Sequence, residues 1–453
     1  MSRQLHLNLF VHGRGHHETA WRHPQSTPLA LTDIAYYRQL AQAAEAAKFD
    51  AIFLADALAI GEEIGHVAKG GLEPLSTLAA LAGATSKIGL IATASTTYTE
   101  PYNLARQFAS LDHISGGRIG WNIVTSWVQG AGPNFGHDQQ IPHAERYARA
   151  FEFLDVVTKL WDSWADDAVR DERGSGRYAD PARIRSIDHV GACYRVKGPL
   201  NLPRPPQSWP VLVEAGSSDT GRGFAARYAE AVFTAHLQKE TAQAFYADLK
   251  SRAAALGRGA AEIAVLPGIS PVIGSTEAEA QRIWQDLNEL SDPAVGLARL
   301  SNRFGGYDFS HLNLDAVLSV DDFPDPASVQ AAQSRAQVIT ALVARERPTL
   351  RQLLHSLAGA RGHLTVAGAP AQIADLIEDW FTTGAADGFN VMPPILPTQF
   401  DVFVEHVVPI LQRRGLFRTE YREATLRGHF GLKRPQSQYF PQPAEVPQAA
   451  LAE

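Results

Sequence analysis

The 453-residue chain carries a single cysteine, Cys193, so no internal disulfide framework can brace it. That scarcity fits a reducing, cytoplasmic setting. Cys193 stands between Ala192 and Tyr194 in a segment that reads as a strand, which predicts a buried and inert thiol. Long apolar runs are also missing: none reaches the length of a membrane span, and no basic stretch followed by an apolar block opens the chain. Strong charge of one sign is absent. Lys and Arg number 41 against 48 Asp and Glu, a net charge of −7, which argues against nucleic acid or an anionic membrane as the main partner. Neither a Ser-centred nucleophile elbow nor a Gly-x-Gly-x-x-Gly fingerprint occurs. Lacking the machinery for hydrolysis or nicotinamide binding, and lacking a polar catalytic dyad, an enzyme of this kind would borrow its chemistry from a cofactor.

What is present is an alternation of short apolar strands and amphipathic helices, the pattern of a parallel sheet. Strands are expected at 5–10, 50–55, 88–95, 118–125, 211–216, 231–235, 262–268 and 389–393. Helices fill the gaps at 33–47, 74–85, 101–115, 143–163, 218–229, 240–256, 276–290 and 370–384, and 399–414 closes the series. Eight such units in order predict a (β/α)8 TIM barrel in the α/β class. The expected organisation is one barrel over residues 1–430 and a proline-rich, extended tail over 431–453. Two long excursions interrupt the barrel, at about 165–208 and, after strand seven, at 291–365, the second with helices near 327–345 and 349–358. Segments this long inside a compact fold are usually lids or binding loops.

The stretch 108–125 is the most informative. A helix ends at Ser115, Gly116 and Gly117 turn the chain, and the next strand gathers Trp121, Asn122, Thr125 and Ser126 toward its C-terminal end. Polar groups where a barrel strand emerges mark an active-site rim. Asp56 ends strand two in the same way, although a capping or loop carboxylate would look identical. Gly216-Ser217-Ser218-Asp219-Thr220-Gly221 opens a helix after strand five and suits either an anion or an ordinary N-cap. His143 and Tyr147, one turn apart, share a face beside strand four. His12, His16, His17 and His23 follow strand one. Their spacing could ligate zinc, but no acidic or Cys partner completes a recognised set, so no metal is expected and a loop facing substrate or solvent is.

The run Thr93-Ala94-Ser95-Thr96-Thr97-Tyr98-Thr99-Glu100-Pro101-Tyr102-Asn103-Leu104-Ala105-Arg106 is followed by Leu111-Asp112-His113-Ile114-Ser115-Gly116-Gly117-Arg118. Gly120-Trp121-Asn122 and Val124-Thr125-Ser126 come next. Together these resemble the nitrilotriacetate monooxygenase family, which also includes dibenzothiophene sulfone monooxygenase and pristinamycin synthase, within the bacterial-luciferase-like flavin enzymes. Ala20-Trp21-Arg22-His23-Pro24, Glu145-Arg146-Tyr147, Leu160-Trp161-Asp162-Ser163-Trp164, the Gln/Glu-Ala-Gly step at Glu214-Ala215-Gly216 and Gly415-Leu416-Phe417-Arg418 extend the likeness along essentially the whole chain.

The resemblance implies a luciferase-like barrel, a homodimer or homotetramer, that binds reduced FMN at its mouth. A separate NAD(P)H-dependent flavin reductase supplies the FMN, and dioxygen adds at the flavin C4a position to give a peroxide that oxygenates a small organic or xenobiotic substrate. It places Asp56 by the isoalloxazine, Ala94 and Ser95 as a platform through a non-proline cis peptide, and Asn122 toward the flavin. His143 and Tyr147 would reach the ribityl-phosphate, with Gly216, Ser217 and Ser218 around the phosphate itself. His16 is the implied group beside the peroxide or substrate, Phe10 and Phe53 the apolar walls, and Trp127 and Arg303 further pocket candidates. Arg14, Arg22 and Arg303 could each receive an acidic substrate group, yet scattered arginines also suit plain solvation. Two alternatives stay open: a deazaflavin-dependent oxidoreductase of the same fold, and a barrel that stores or senses flavin without catalysis. The sequence leaves the substrate unnamed.

Overall fold

A computed structural model describes residues 3–441 other than 127, 129, 217, 330–332 and 361. Nine parallel strands form one sheet. They are β1 (His6–Val11), β2 (Ala51–Leu54), β3 (Gly89–Ser95), β4 (Ile119–Val124), β5 (Val211–Glu214), β6 (Ala231–Thr234), β7 (Ala264–Ile273), β8 (Leu364–Gly368) and β9 (Gly388–Val391). Pairing runs β1 to β7 in order, including β6 against β7. β9 sits between β7 and β1, so eight strands close into the expected TIM-type barrel. Val, Leu, Ile and Ala together make up more than half of the strand residues, as expected of strands covered on both faces.

The helices follow the expected spacing: α1 (Ile34–Ala46), α2 (Pro74–Ala82), α3 (Pro101–Ser115), α4 (His143–Trp161), α5 (Asp219–Tyr228), α6 (Lys239–Ala255) and α7 (Glu277–Glu289). After α3 the chain turns on Gly116 and Gly117, with φ of +68° and +89°, the left-handed region that a β-carbon resists.

Strand alternation sorts the side chains. Leu7, Leu9, Trp121, Ile123 and Leu212 pack outward against the helices, whereas Phe10, Phe53, Ile91, Val213, Phe233 and Met392 fill the barrel. Leu426 and Phe430, on and just after a short helix (Leu426–His429), plug the interior at the N-terminal ends of the strands. Gly89 and Gly120 make room for that plug: a β-carbon on Gly89 would lie 2.3 Å from Leu426 Cδ1, and one on Gly120 would lie 3.1 Å from Leu426 Cδ2. Gly89→Ala is therefore expected to cost about 2 kcal/mol of unfolding free energy through overpacking. Urea denaturation of that variant beside Gly89→Ala/Leu426→Val, which should recover part of the loss, checks the assignment.

The excursions differ in part from expectation. The segment after α7 holds three helices, α8 (Pro293–Arg303), α9 (Gln333–Glu346) and α10 (Leu350–Ala360), around a core of its own that includes Leu300, Phe309, Phe323, Val343 and Leu353. It ends in β8, which extends the sheet by pairing with the upper half of β7 instead of continuing as a loop. α11 (Pro370–Thr382) then leads to β9. The earlier excursion carries two small hairpins, Val169–Glu172 with Arg177–Ala179 and His189–Val190 with Arg195–Val196. Cys193 lies in the bend of the second and not in a strand, because Glu152 takes the Cys193 and Tyr194 N–H groups and turns the chain there. Neither the strand nor full burial is borne out: Cys193 is half-buried, and burial and then the nearby Glu152 carboxylate raise its thiol pKa.

Candidate active site

The C-terminal ends of the barrel strands bring polar groups into an otherwise apolar cylinder. Asn122 on β4 donates from Nδ2 to Thr93 Oγ1 on β3 (2.9 Å), while its Oδ1 is buried with no hydrogen-bond partner. Below them Phe10 and Phe53 stack at 4.7 Å, with Phe233 edge-on at 5.2 Å from Phe10, forming an apolar floor. Ala94 and Ser95 lie in regular register against Ile123 and Val124, and Trp121 Nε1 donates to Ala94 O (3.1 Å). The implied cis peptide at this step is absent: the cis bonds among the described residues precede Pro199 and Pro397.

Just beyond β4 the backbone is strained. Ser126 adopts φ of +52°, unusual for a residue with a β-carbon. It is pinned from three sides. Its hydroxyl donates to Ser95 Oγ (2.8 Å), Gln140 donates to its carbonyl, and Arg146 Nη1 donates to the Thr125 and Ser126 carbonyls at 3.1 and 2.9 Å. Arg146 Nε also donates to Ile141 O (2.9 Å). Arg146 is thus the buried clamp of the mouth beside strand four, a role that its place in a helix did not advertise.

The start of α4 and the start of α5 form a second focus. His143 is the first residue of α4 and exposed, with its ring 4.7 Å from that of Tyr147. Burial, and then Arg146, lower the His143 pKa. Tyr147 is buried, and its hydroxyl is approached by the side chains of Ser218 and Thr125. Burial, then the Glu214 carboxyl, push its pKa up to about 12. Ser218 caps α5, its Oγ accepting from Gly221 N (3.1 Å). Both glycines of this turn are needed. A β-carbon on Gly216 would lie 2.2 Å from Glu214 Oε1 and 3.1 Å from the Tyr147 hydroxyl, and one on Gly221 would lie 3.0 Å from that hydroxyl. The product is a cradle at a helix N-terminus, where unpaired N–H groups and the helix dipole favour an anion. Ser217 lies outside the described residues, as does Trp127.

The loop after β1 is not the solvent-facing loop that its histidines allowed. His16 and His17 are 2 % and 1 % exposed. His16 Nε2 sits 2.8 Å from Phe10 O; a carbonyl only accepts, so this nitrogen carries a proton. His17 is held between Thr19 Oγ1 (2.8 Å) and Asn288 Oδ1 (3.2 Å), and burial lowers its pKa to about 4. It fastens the loop to α7. Beside this loop opens a cleft of about 270 Å³, lined by Glu18, Trp21, Arg22, His66, Leu290 and Asp292 among others. It lies on the mouth side, since the loops after β1 and β2 border it. Asp56 stands exposed on the loop after β2, its Oδ1 taking the Ala57 N–H (2.8 Å). Arg14 donates to Leu29 O, and Arg22 to Leu290 O. Arg303 ends α8, half-buried within the insertion. Glu214 is the residue of this region that sequence reasoning passed over as a functional group; the available signal was a carboxylate ending the apolar run Val-Leu-Val.

Residues 9–387 match the luciferase-like monooxygenase family. Among curated relatives, N-acetyl-S-(2-succino)cysteine monooxygenase of Bacillus subtilis (strain 168) is 45% identical over 437 residues, covering 96% of this chain and 98% of that one. Nitrilotriacetate monooxygenase component A of Aminobacter aminovorans is 45% identical over 448 residues, with the same coverage. Among solved structures, a riboflavin lyase with modified FMN and riboflavin superposes with a TM-score of 0.84 at 32% identity, over 95% of this chain and 96% of that one. With the family match spanning well over half its length and relatives this similar along nearly all of it, the chain belongs to the luciferase-like monooxygenases and is a flavin-dependent enzyme of that family, working with reduced FMN and dioxygen.

Proposed function

We propose that the cradle between Tyr147, Gly216, Ser218 and the start of α5 receives the FMN phosphate, and that the flavin ring lies over Ala94, Ser95 and Asn122, beside Asp56. The observation that carries this reading is the pair of glycines whose β-carbons would fill the cradle. The unpartnered Asn122 Oδ1 adds to it, because a buried acceptor of that kind is costly until a donor such as a flavin N–H arrives. Reduced FMN, when bound, supplies the electrons that activate dioxygen for transfer of one oxygen atom to an organic substrate. The chain's own residues hold the flavin, keep water out with the insertion over the mouth, and position the substrate against it. A separate NAD(P)H-dependent flavin reductase delivers the reduced cofactor, in keeping with a relative named as component A.

The substrate is a small organic molecule bearing several carboxylates. Two relatives at 45% identity are named for such compounds, N-acetyl-S-(2-succino)cysteine and nitrilotriacetate. The cleft beside Arg22 gives such a molecule an entry. Glu18, on its wall, is already paired with Arg299 and so repels an anion less than its charge suggests. Two measurements test the proposal. Anaerobic calorimetry should detect binding of reduced FMN, and its absence would refute the assignment of the mouth. With a generic flavin reductase present, aminopolycarboxylates and carboxylated thioethers should stimulate oxygen uptake more than dibenzothiophene sulfone or long-chain alkanes; the reverse order would overturn the substrate class.

Tyr147→Phe removes the hydroxyl near the two glycines while keeping the ring that lies against His143. Its FMN dissociation constant is expected to rise about tenfold, the worth of one hydrogen bond to a charged group, with riboflavin affinity unchanged. Fluorescence titration with both flavins reads this directly.

A further inference from the structure

Among the described residues no counter-charge is recorded for Glu214, a carboxyl group beneath the proposed phosphate cradle. It ends β5 and shares the outward face of that strand with Leu212, and it is 4 % exposed. The Gly216 N–H holds one carboxyl oxygen, and the other, Oε2, is buried with no hydrogen-bond partner. The cationic groups described on the neighbouring elements have partners of their own. Arg146, from α4, spends its donors on the Ile141, Thr125 and Ser126 carbonyls. Arg222, from α5, is paired with Asp248 and Asp219. Asp219 also pairs with Arg252 of α6. His236, past the end of β6, bonds to Thr234 and Thr241, and the His143 ring lies 4.7 Å from that of Tyr147, tilted by 48°. Among the described residues the group nearest in charge is the Tyr147 hydroxyl, itself neutral through the working pH range.

A buried carboxylate with a single N–H donor is expensive, and a neutral acid is the cheaper state. Burial accordingly raises the Glu214 pKa to about 8, which the one backbone N–H only partly offsets. Placing a dianionic phosphate against the same turn makes ionisation costlier still.

We propose that Glu214 is a proton-linked element of the cofactor site: it accepts FMN as the carboxylic acid, and above its own titration each FMN bound takes up a proton. This rests on the assignment of the Gly216–Gly221 turn to the phosphate. The sign follows from linkage. Below pH 8 the acid is already protonated and affinity does not depend on it; above pH 8 affinity falls, by up to about tenfold per pH unit, because protonation must accompany binding. The phosphate is already dianionic above pH 7, Tyr147 titrates near 12 and the His143 pKa is lowered from its ordinary value, so neither the phosphate nor either side chain mimics this slope.

The test is titration of FMN, and of riboflavin as a phosphate-free control, into the wild-type protein and Glu214→Gln from pH 7 to 9.5. Calorimetry at pH 9 in two buffers of different ionisation enthalpy counts protons. The wild type should lose about fivefold in FMN affinity between pH 8 and pH 9 and take up close to one proton at pH 9, with riboflavin unaffected. Glu214→Gln should bind FMN with flat affinity, about tenfold tighter than wild type at pH 9, with no proton uptake. An infrared carboxylic-acid band present in wild type at pH 7 and missing in the variant gives a second readout that needs no ligand. A wild-type affinity flat through pH 9.5, or an identical slope in both proteins, overturns the proposal while leaving the phosphate site standing. Equal pH slopes for FMN and riboflavin overturn it as well, and failure of FMN to bind at any pH overturns both.

Discussion

Arg418→Ala is expected to remove about 3–5 kcal/mol of unfolding free energy, enough to leave the enzyme barely folded at 37 °C. The reason lies below the barrel. Asp50, immediately before β2, is fully buried. Its Oδ1 receives Arg418 Nη2 and lies 3.0 Å from His6 Nδ1, and its Oδ2 accepts from Leu7 N (2.8 Å). Arg418 also donates to His429 O (3.3 Å), next to the plug formed by Leu426 and Phe430. Deleting the arginine leaves a carboxylate stranded in a dry site, which is the costly half of breaking a buried pair. Burial alone would raise the Asp50 pKa, yet Arg418 and then His6 outweigh it and hold it down to about 2. A depressed carboxyl stabilises the fold above its unfolded pKa. That contribution is complete above about pH 4 and disappears as pH falls toward 2. Urea unfolding at pH 7 measures the loss, and the wild type should show an acid limb between pH 4 and 2 that Arg418→Ala lacks. A loss under 1 kcal/mol would mean that water already reaches the pair.

His16→Ala is expected to retain FMN and yet lower coupled turnover about a hundredfold, with dioxygen reduced to hydrogen peroxide instead of entering product. The size follows from what a positioned proton donor or acceptor contributes. His16 is held by the Phe10 carbonyl through Nε2 and its ring lies 4.9 Å from that of Phe10, so the imidazole is fixed in place in the loop after β1. Comparing product formed with oxygen consumed separates this role from simple packing, which would lower both together. A variant with full coupling removes His16 from the chemistry.

The barrel was legible because strands buried on both faces leave unbroken apolar runs, and because helices at fixed intervals can only pack between them. The upper half of β7 was not. Pro267 and Pro271 punctuate it, and a proline in a run ordinarily demotes a strand; here β7 continues to Ile273 because β8 covers its far end. β8 itself is half-buried along most of its length and offers no apolar block to notice. In the candidate site, Asn122, Tyr147 and Ser218 stood out by their places at strand and helix ends, and Ser95 entered only through the family resemblance. Glu214 could not, since a carboxylate is remarkable only when its counter-ion is missing, and that is a property of space. The non-proline cis peptide shows the opposite error, a trait attached to a motif that the local ladder does not need.

The union of β8 with β7 has a bearing on engineering. Five paired positions, from Ile269–Leu364 to Ile273–Gly368, knit the downstream end of the insertion into the wall of the cylinder. A graft intended to import another enzyme's appetite therefore has its natural splice points near residues 290 and 362. A cut at 365 would tear the seam and expose a raw strand edge, an invitation to clump in the test tube.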